Sequence, residues 1–472
     1  MCKLLEDRYK TQNSLKACNL YYSFGIVIAA LLFVSACEST GTQKQATQLD
    51  SLSKLSIEFL RNRDYGSTLK IEKRIANAAH ETLIASYNSD DLRVYSRIDL
   101  PSAAAAESGY PVVVFVHGWM GVDAAPSSDF YMDEESNYAR MITAYVDAGF
   151  VVLTPGWRGH GTVNGIPAEG LEFMTAWDNS TYLSPVFYAI DVLNLFDSLA
   201  TLEGTKLDLG NINLVSHSQG GDVALIALAV AGEGSKVGNQ WSAASFWSAC
   251  FPARATQFLT YNPMQKTPEA FLSGDGSWNG TALGANGEKN PNFVFGYPPD
   301  WIGTPHPEQW TWQNDSWSAS TVAEVMELRL IQMYEAINTQ VRDIDDASYE
   351  LRIEPDGSTR VTHDPRISAA MAGIDAFEME QYLTEPLVLQ HSDRDFYSFP
   401  EWNADLCARV NAAGGACQDF EYPENTHSLG VSEQRWFSSE EAVPGFPIAI
   451  QRDLELFRRT DSGKRADGQS DP

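Results

Sequence analysis

Positive charge is scarce in this chain of 472 residues. Its 33 Lys and Arg stand against 62 Asp and Glu, a formal net charge of -29. So acidic a chain is repelled by phosphate backbones, and nucleic acid is not an expected partner. Glycine (34) and proline (22) are near ordinary usage, which excludes collagen-like and low-complexity architectures. The eight histidines are scattered. There is no H-E-x-x-H, paired C-x-x-C, EF-hand loop, phosphate loop or dinucleotide fingerprint, so no metal and no cofactor is expected. What is there describes a globular chain, 44% hydrophobic and only 20% charged. At roughly 100–200 residues per domain, the length suits two or three domains, or one large domain with insertions.

The N-terminus carries an export pattern. Lys3, Arg8, Lys10 and Lys16 precede an apolar run from Phe24 to Val34, followed by Ser35, Ala36 and Cys37. The run fits a signal-peptide core and falls short of the roughly 20 residues that span a bilayer. Leu-Phe-Val-Ser-Ala-Cys resembles the lipobox of bacterial lipoproteins. That resemblance implies a lipid on Cys37, and a protein held at a membrane face of the bacterial cell envelope by its acyl anchor. Residues 38–50 are polar and read as a tether.

The middle of the chain alternates. Apolar runs at 112–116, 150–155, 212–216, 242–249 and 386–390 each end in small or polar turn residues, and helical patterns fill 136–148, 185–201 and 219–231. Uniformly apolar runs suit strands covered on both faces, and the alternation predicts a mostly parallel sheet with crossover helices. Residues 81–88 and 92–101, joined through Ser89-Asp90-Asp91, read as an antiparallel hairpin at its edge.

Functional groups in such sheets gather at the carboxyl ends of strands. Ser216-His217-Ser218-Gln219-Gly220 lies between a strand and an apolar helix, the context of a nucleophile elbow, whose tight turn needs small residues two positions either side of the nucleophile. Ser218 fits, flanked by Ser216 and Gly220. Ser216 as nucleophile would place Leu214 in a crowded position. Downstream, PLVLQHSDRDFYSFP supplies an acid after a strand and QDFEYPENTHSLG a histidine after the next. The order Ser218, Asp395, His427 is that of α/β-hydrolases, with Asp393 as a rival acid. The histidine is needed to take the Ser proton, and the carboxylate to hold its tautomer.

PVVVFVHGWMG, VVLTPGWRGHG, NLVSHSQGG, PLVLQHSDRD and YPENTHSL together resemble the α/β-hydrolase superfamily. They look closest to the catalytic domain of the prolyl oligopeptidase family and to related acyl esterases, over roughly 80–255 and 380–460. The resemblance implies an oxyanion hole built from the backbone N–H groups of Gln219 and Trp119. His117 reads as a structural turn histidine. Arg158 and His160 read as residues shaping the pocket rim, with a substrate contact as the alternative. Asp191 reads as a surface or helix-packing residue.

About 135 residues separate the strand ending at Cys250 from that starting at Pro386, and they hold Trp278, Trp301, Trp310, Trp312 and Trp317. A cap is expected there, including a helix over 321–340 and a hairpin over 349–364. The expected organisation is therefore a signal peptide at 1–36, a polar tether at 37–75, hydrolase core at 76–255 and 381–460, a cap at 256–380, and a disordered tail at 461–472. Cys407 and Cys417 are expected to form a disulfide beside the His427 segment, leaving Cys250 as a buried thiol. The expected activity is that of an exported serine hydrolase cleaving a small-molecule ester. The alternatives are a peptidase acting on short peptides and, more remotely, a surface binding protein. About 43 residues lie between Cys37 and the first core strand, too few for the N-terminal propeller of the oligopeptidases.

Overall fold

The computed structural model describes residues 51–467 apart from 77–79, 121–124, 134–135, 172–182, 252–321, 354–358, 393–397, 399, 424, 426 and 431–443. The expectations for Cys37, Asp393, Asp395 and the five cap tryptophans lie outside the described residues.

A short helix α1 (Ile57–Leu60) leads into β1 (Lys70–Ala76), β2 (Glu81–Ser89) and β3 (Leu92–Leu100). Strand β4 (Tyr110–Val116) is followed by α2 (Asn137–Asp147), β5 (Val151–Pro155), the two-residue strands β6 (Thr162–Val163) and β7 (Ile166–Pro167), and α3 (Ser184–Asp197). Next come β8 (Leu207–His217), α4 (Gln219–Val230) and β9 (Ala243–Trp247). After α5 (Val322–Gln340), a hairpin of β10 (Tyr349–Ile353) and β11 (Thr359–His363) precedes α6 (Pro365–Ala372). The chain closes with β12 (Leu387–Ser392), α7 (Pro400–Ala412), β13 (Cys417–Tyr422) and α8 (Gly445–Asp467).

Nine strands form one sheet in the order β1-β2-β3-β5-β4-β8-β9-β12-β13. The pairs from β1 through β3 to β5 are antiparallel, and those from β5 to β13 are parallel. The hairpin of β2 and β3 turns through Asp90 and Asp91, at φ 48° and 65°. Aspartate tolerates this left-handed region, and two such residues match the twist of the flanking strands.

The apolar runs are buried because both faces of the sheet are covered. On β4, Val112, Val114 and Val116 join the larger core cluster, while Val113 and Phe115 join a second one with Met141, Ile142 and Tyr145 of α2 and Phe457 of α8. Helix α4 is buried from Gly220 to Val230 and apolar there except for Asp222, as a helix without a polar face must be buried. It lies against α3 and α1.

Three segments differ from expectation. The tether ends earlier than residue 75: Leu52, Leu55, Ile57 and Leu60 are buried in the main core, and Ile57 N–H donates to Gly373 O at 3.0 Å. Four buried apolar side chains, two on a 3-10 turn (Leu52–Leu55) and two on α1, outweigh the polar residues around them. The described part of the cap is also no separate body, since Leu330, Met333 and Ile337 of α5 and Ile367 and Ala370 of α6 belong to that same core cluster. Finally, α8 continues to Asp467, into the segment expected as tail.

Candidate active site

The turn between β8 and α4 holds Ser218 at φ 57° and ψ −130°. A non-glycine residue pays for this conformation, so the surroundings must hold it. They do: Ser218 N–H donates to Trp247 O at 3.1 Å, and Ser218 O accepts from Gly221 N–H at 2.8 Å and Cys250 N–H at 3.1 Å. The small-residue rule has a direct steric basis. A Cβ on Gly220 would strike the carbonyl oxygens of Val116 and His117, and one on Gly221 would strike Ala249. Ser216 is fully buried.

The loop after β4 approaches Ser218 closely. A Cβ on Gly118 would lie 3.0 Å from Ser218 Cβ and would collide with the Tyr138 hydroxyl. Gly118 N–H donates to Tyr138 Oη at 2.9 Å, so it is spent on structure and cannot serve an oxyanion. The next N–H along this loop is that of Trp119, a partly buried residue. Gln219 is the first residue of α4, so its N–H stands among the N-terminal amides of a helix whose dipole favours negative charge.

His427 lies on the loop after β13. Its ring centroid is 4.8 Å from that of His217, the residue before Ser218, and its carbonyl accepts from His217 Nε2 at 3.0 Å. The structure thus brings Ser218 and His427 to one end of the sheet although 209 residues separate them in sequence. The same loop is tied to the end of β12, where Ser392 Oγ donates to Asn425 O at 2.6 Å. Asn425 in turn accepts from Gly445 N–H at the start of α8 (2.7 Å). Ser392 is the last described residue before the stretch that carries Asp395. Cys407 on α7 and Cys417 on β13 are joined as a disulfide upstream of the histidine loop, and Cys250 is a buried thiol outside that disulfide.

Two neighbouring motifs are structural. His117 stacks on Trp157 (centroids 4.1 Å, planes 22° apart), and Trp157 stacks on Tyr188 at 4.7 Å. Burial holds His117 down at about 3 and His160 at about 4, so both are neutral near pH 7 and neither suits the role of base. Arg158 is 2% exposed and fully engaged. Its Nη2 and Nε reach Asp191 at 2.7 and 3.0 Å, and its backbone N–H donates to the same carboxylate at 2.9 Å. The substrate-contact reading of Arg158 and the surface reading of Asp191 are therefore set aside. A charge pair this deep survives only because each partner satisfies the other.

Sequence reasoning missed Tyr138, which lies in a helix far from every motif, and it gave His217 no role within the elbow. It also missed Asp453 of α8. That carboxylate is fully buried, and it accepts from Tyr145 Oη (2.6 Å), Trp247 Nε1 (2.8 Å) and Gln390 Nε2 (2.7 Å). Burial pushes it up to about 7. Among the described residues, no three His, Cys, Asp or Glu side chains gather where a metal would be held, and no helix is long and apolar enough to cross a membrane.

Residues 111–277 match the family model for the alpha/beta hydrolase fold. No curated protein matches the sequence. Among solved structures, the chain is similar to Est1E from Butyrivibrio proteoclasticus, at 12% identity over 80% of this chain and 99% of that one (TM-score 0.40). It is similar to an acetyl xylan esterase from Paenibacillus sp. R4, at 13% identity over 84% and 91% (TM-score 0.46). It is also similar to Porphyromonas gingivalis dipeptidyl peptidase 4, at 10% identity over 83% of this chain and 36% of that one (TM-score 0.42). By its sheet order, its strand–turn–helix at Ser218 and the match of residues 111–277 to the family model, the chain has the α/β-hydrolase fold.

Proposed function

We propose that the protein is a serine hydrolase that cleaves an ester through an acyl-enzyme. The observation that carries this reading is Ser218 at positive φ on a turn between a buried strand and a buried helix, with His427 on the loop hydrogen-bonded to the adjacent residue. In this reading His427 takes the Ser218 proton as the oxygen attacks the acyl carbonyl, and Asp395 holds the imidazole. The N–H groups of Gln219 and Trp119 bind the oxyanion. The alcohol leaves with the proton returned by His427, and water then repeats the sequence to release the acid. An ester is the least demanding substrate for such a site, because an alcohol is a better leaving group than an amine. The distinguishing experiment is turnover of short p-nitrophenyl esters and acetylated or feruloylated sugars beside aminoacyl anilides. Ester hydrolysis is expected, and exclusive turnover of the anilides would overturn it. We propose further that a lipid on Cys37 holds the enzyme at the bacterial envelope. Loss of palmitate labelling in Cys37→Ser would support that part, and equal labelling would remove it.

A further inference from the structure

Tyr138 stands in the first turn of α2, and its ring is fixed on three sides. It meets Phe115 edge-on at 5.5 Å, Tyr131 at 4.8 Å and the His217 ring at 5.4 Å. Tyr131 is itself held, since its carbonyl accepts from Arg97 Nη1 at 2.5 Å and Arg97 pairs with the buried Asp99. The hydroxyl of Tyr138 is therefore delivered to one place. There it accepts from Gly118 N–H at 2.9 Å and lies 2.7 Å from His217 Nδ1.

The direction of each bond follows from the groups. His217 Nε2 faces the carbonyl oxygen of His427, which can only accept, so Nε2 carries the proton. Nδ1 of the neutral ring is then an acceptor, and the Tyr138 hydroxyl donates to it. The chain runs from Gly118 N–H to Tyr138 to His217 to His427 O. It begins in the loop that would supply an oxyanion donor, passes through the residue before the nucleophile, and ends on the backbone of the base. Three separate loops are tied together by two side chains, neither of which belongs to the triad.

Resting on the assignment of Ser218 and His427 as nucleophile and base, we infer that Tyr138 and His217 are positioning residues that set the register of these loops for catalysis. Proton transfer from Ser218 to His427 depends on their mutual placement, and a displacement of about 1 Å at such a site costs on the order of a hundredfold in rate. A purely structural pair would instead change stability and leave the folded enzyme's rate alone.

The test measures the rate of fluorophosphonate labelling of Ser218 per folded molecule, with kcat and KM on p-nitrophenyl acetate and the thermal midpoint alongside. Tyr138→Phe removes the hydroxyl. His217→Asn keeps an amide group near Nδ1 and loses the bond to His427. His217→Gln places an N–H near Nε2 and keeps that bond. Tyr138→Phe and His217→Asn are expected to slow labelling and kcat by about tenfold or more with KM within about twofold, and His217→Gln to recover to within about threefold of the wild type. Wild-type rates in Tyr138→Phe and His217→Asn, or equal losses in His217→Asn and His217→Gln, would overturn the inference while leaving the hydrolase reading intact. Failure of the wild type to label at Ser218 would overturn both. Normalising to folded protein keeps a destabilised variant informative.

Discussion

Trp247 accepts the backbone N–H of Ser218 at 3.1 Å and, through its indole Nε1, donates to the buried Asp453 carboxylate at 2.8 Å. One residue of β9 thus joins the strained turn to the C-terminal helix. The positive φ of Ser218 is held by the sheet and the helix packed behind it as well as by its own neighbours.

The buried Asp453 makes stability depend on pH in a direction opposite to that of an ordinary paired carboxylate. Its value in the folded state is raised from 3.8 to about 7 by burial, so the folded state holds this proton more tightly than the unfolded chain. The resulting stability is fully present below about pH 4 and is lost as pH rises through 7, up to about 4 kcal/mol across that window. Asp453→Asn cannot titrate, and its unfolding free energy should vary less between pH 4.5 and 8 than that of the wild type. Denaturant titrations at several pH values check this.

Gly220→Ala should lower stability by about 1–3 kcal/mol and depress kcat in the folded fraction, because its Cβ drives α4 away from the carbonyls of Val116 and His117. Gly210→Ala is the control. Its Cβ meets only the Asp208 carboxylate, at 3.3 Å, and should change stability by less than about 0.5 kcal/mol. Thermal unfolding separates the two.

Much of this arrangement was legible in the sequence. The strand runs and the elbow announced themselves because burial on both faces demands continuous apolar residues, and the turn demands Gly220. The hairpin at Asp90-Asp91 was equally plain. What escaped had no local pattern. Tyr138 acts through a hydroxyl at one end of an ordinary amphipathic helix, and only the fold brings it to His217. Leu52 to Leu60 look like a short interruption in a polar stretch until the core they fill is visible. Asp191 reads as a helix aspartate because its partner, Arg158, lies 33 residues away on another loop.

Asp191→Asn should destabilise the fold by about 3–5 kcal/mol, since it leaves the buried Arg158 guanidinium with only the more distant and partly exposed Asp90 carboxylate, at 3.6 Å, as counter-charge. The double change Arg158→Met with Asp191→Leu should recover a large part of that loss. Recovery absent from the double variant in chemical denaturation would show that the hydrogen bonds of this pair matter more than its charge.

Opening the Cys407–Cys417 disulfide should cost about 3 kcal/mol, the chain-entropy expectation for a loop closed over a sequence separation of 10. Cys407→Ser paired with Cys417→Ser should unfold at lower temperature than the wild type, and a reductant should lower the wild-type midpoint without moving that of the variant.

Mass-spectrometric mapping of the site modified by a fluorophosphonate probe tests whether Ser218 is an activated nucleophile. A single adduct is expected on the peptide containing Ser218, with no adduct in Ser218→Ala and labelling slowed by at least about a hundredfold in His427→Ala. An unmodified wild-type protein, or an adduct that persists in Ser218→Ala, would contradict it.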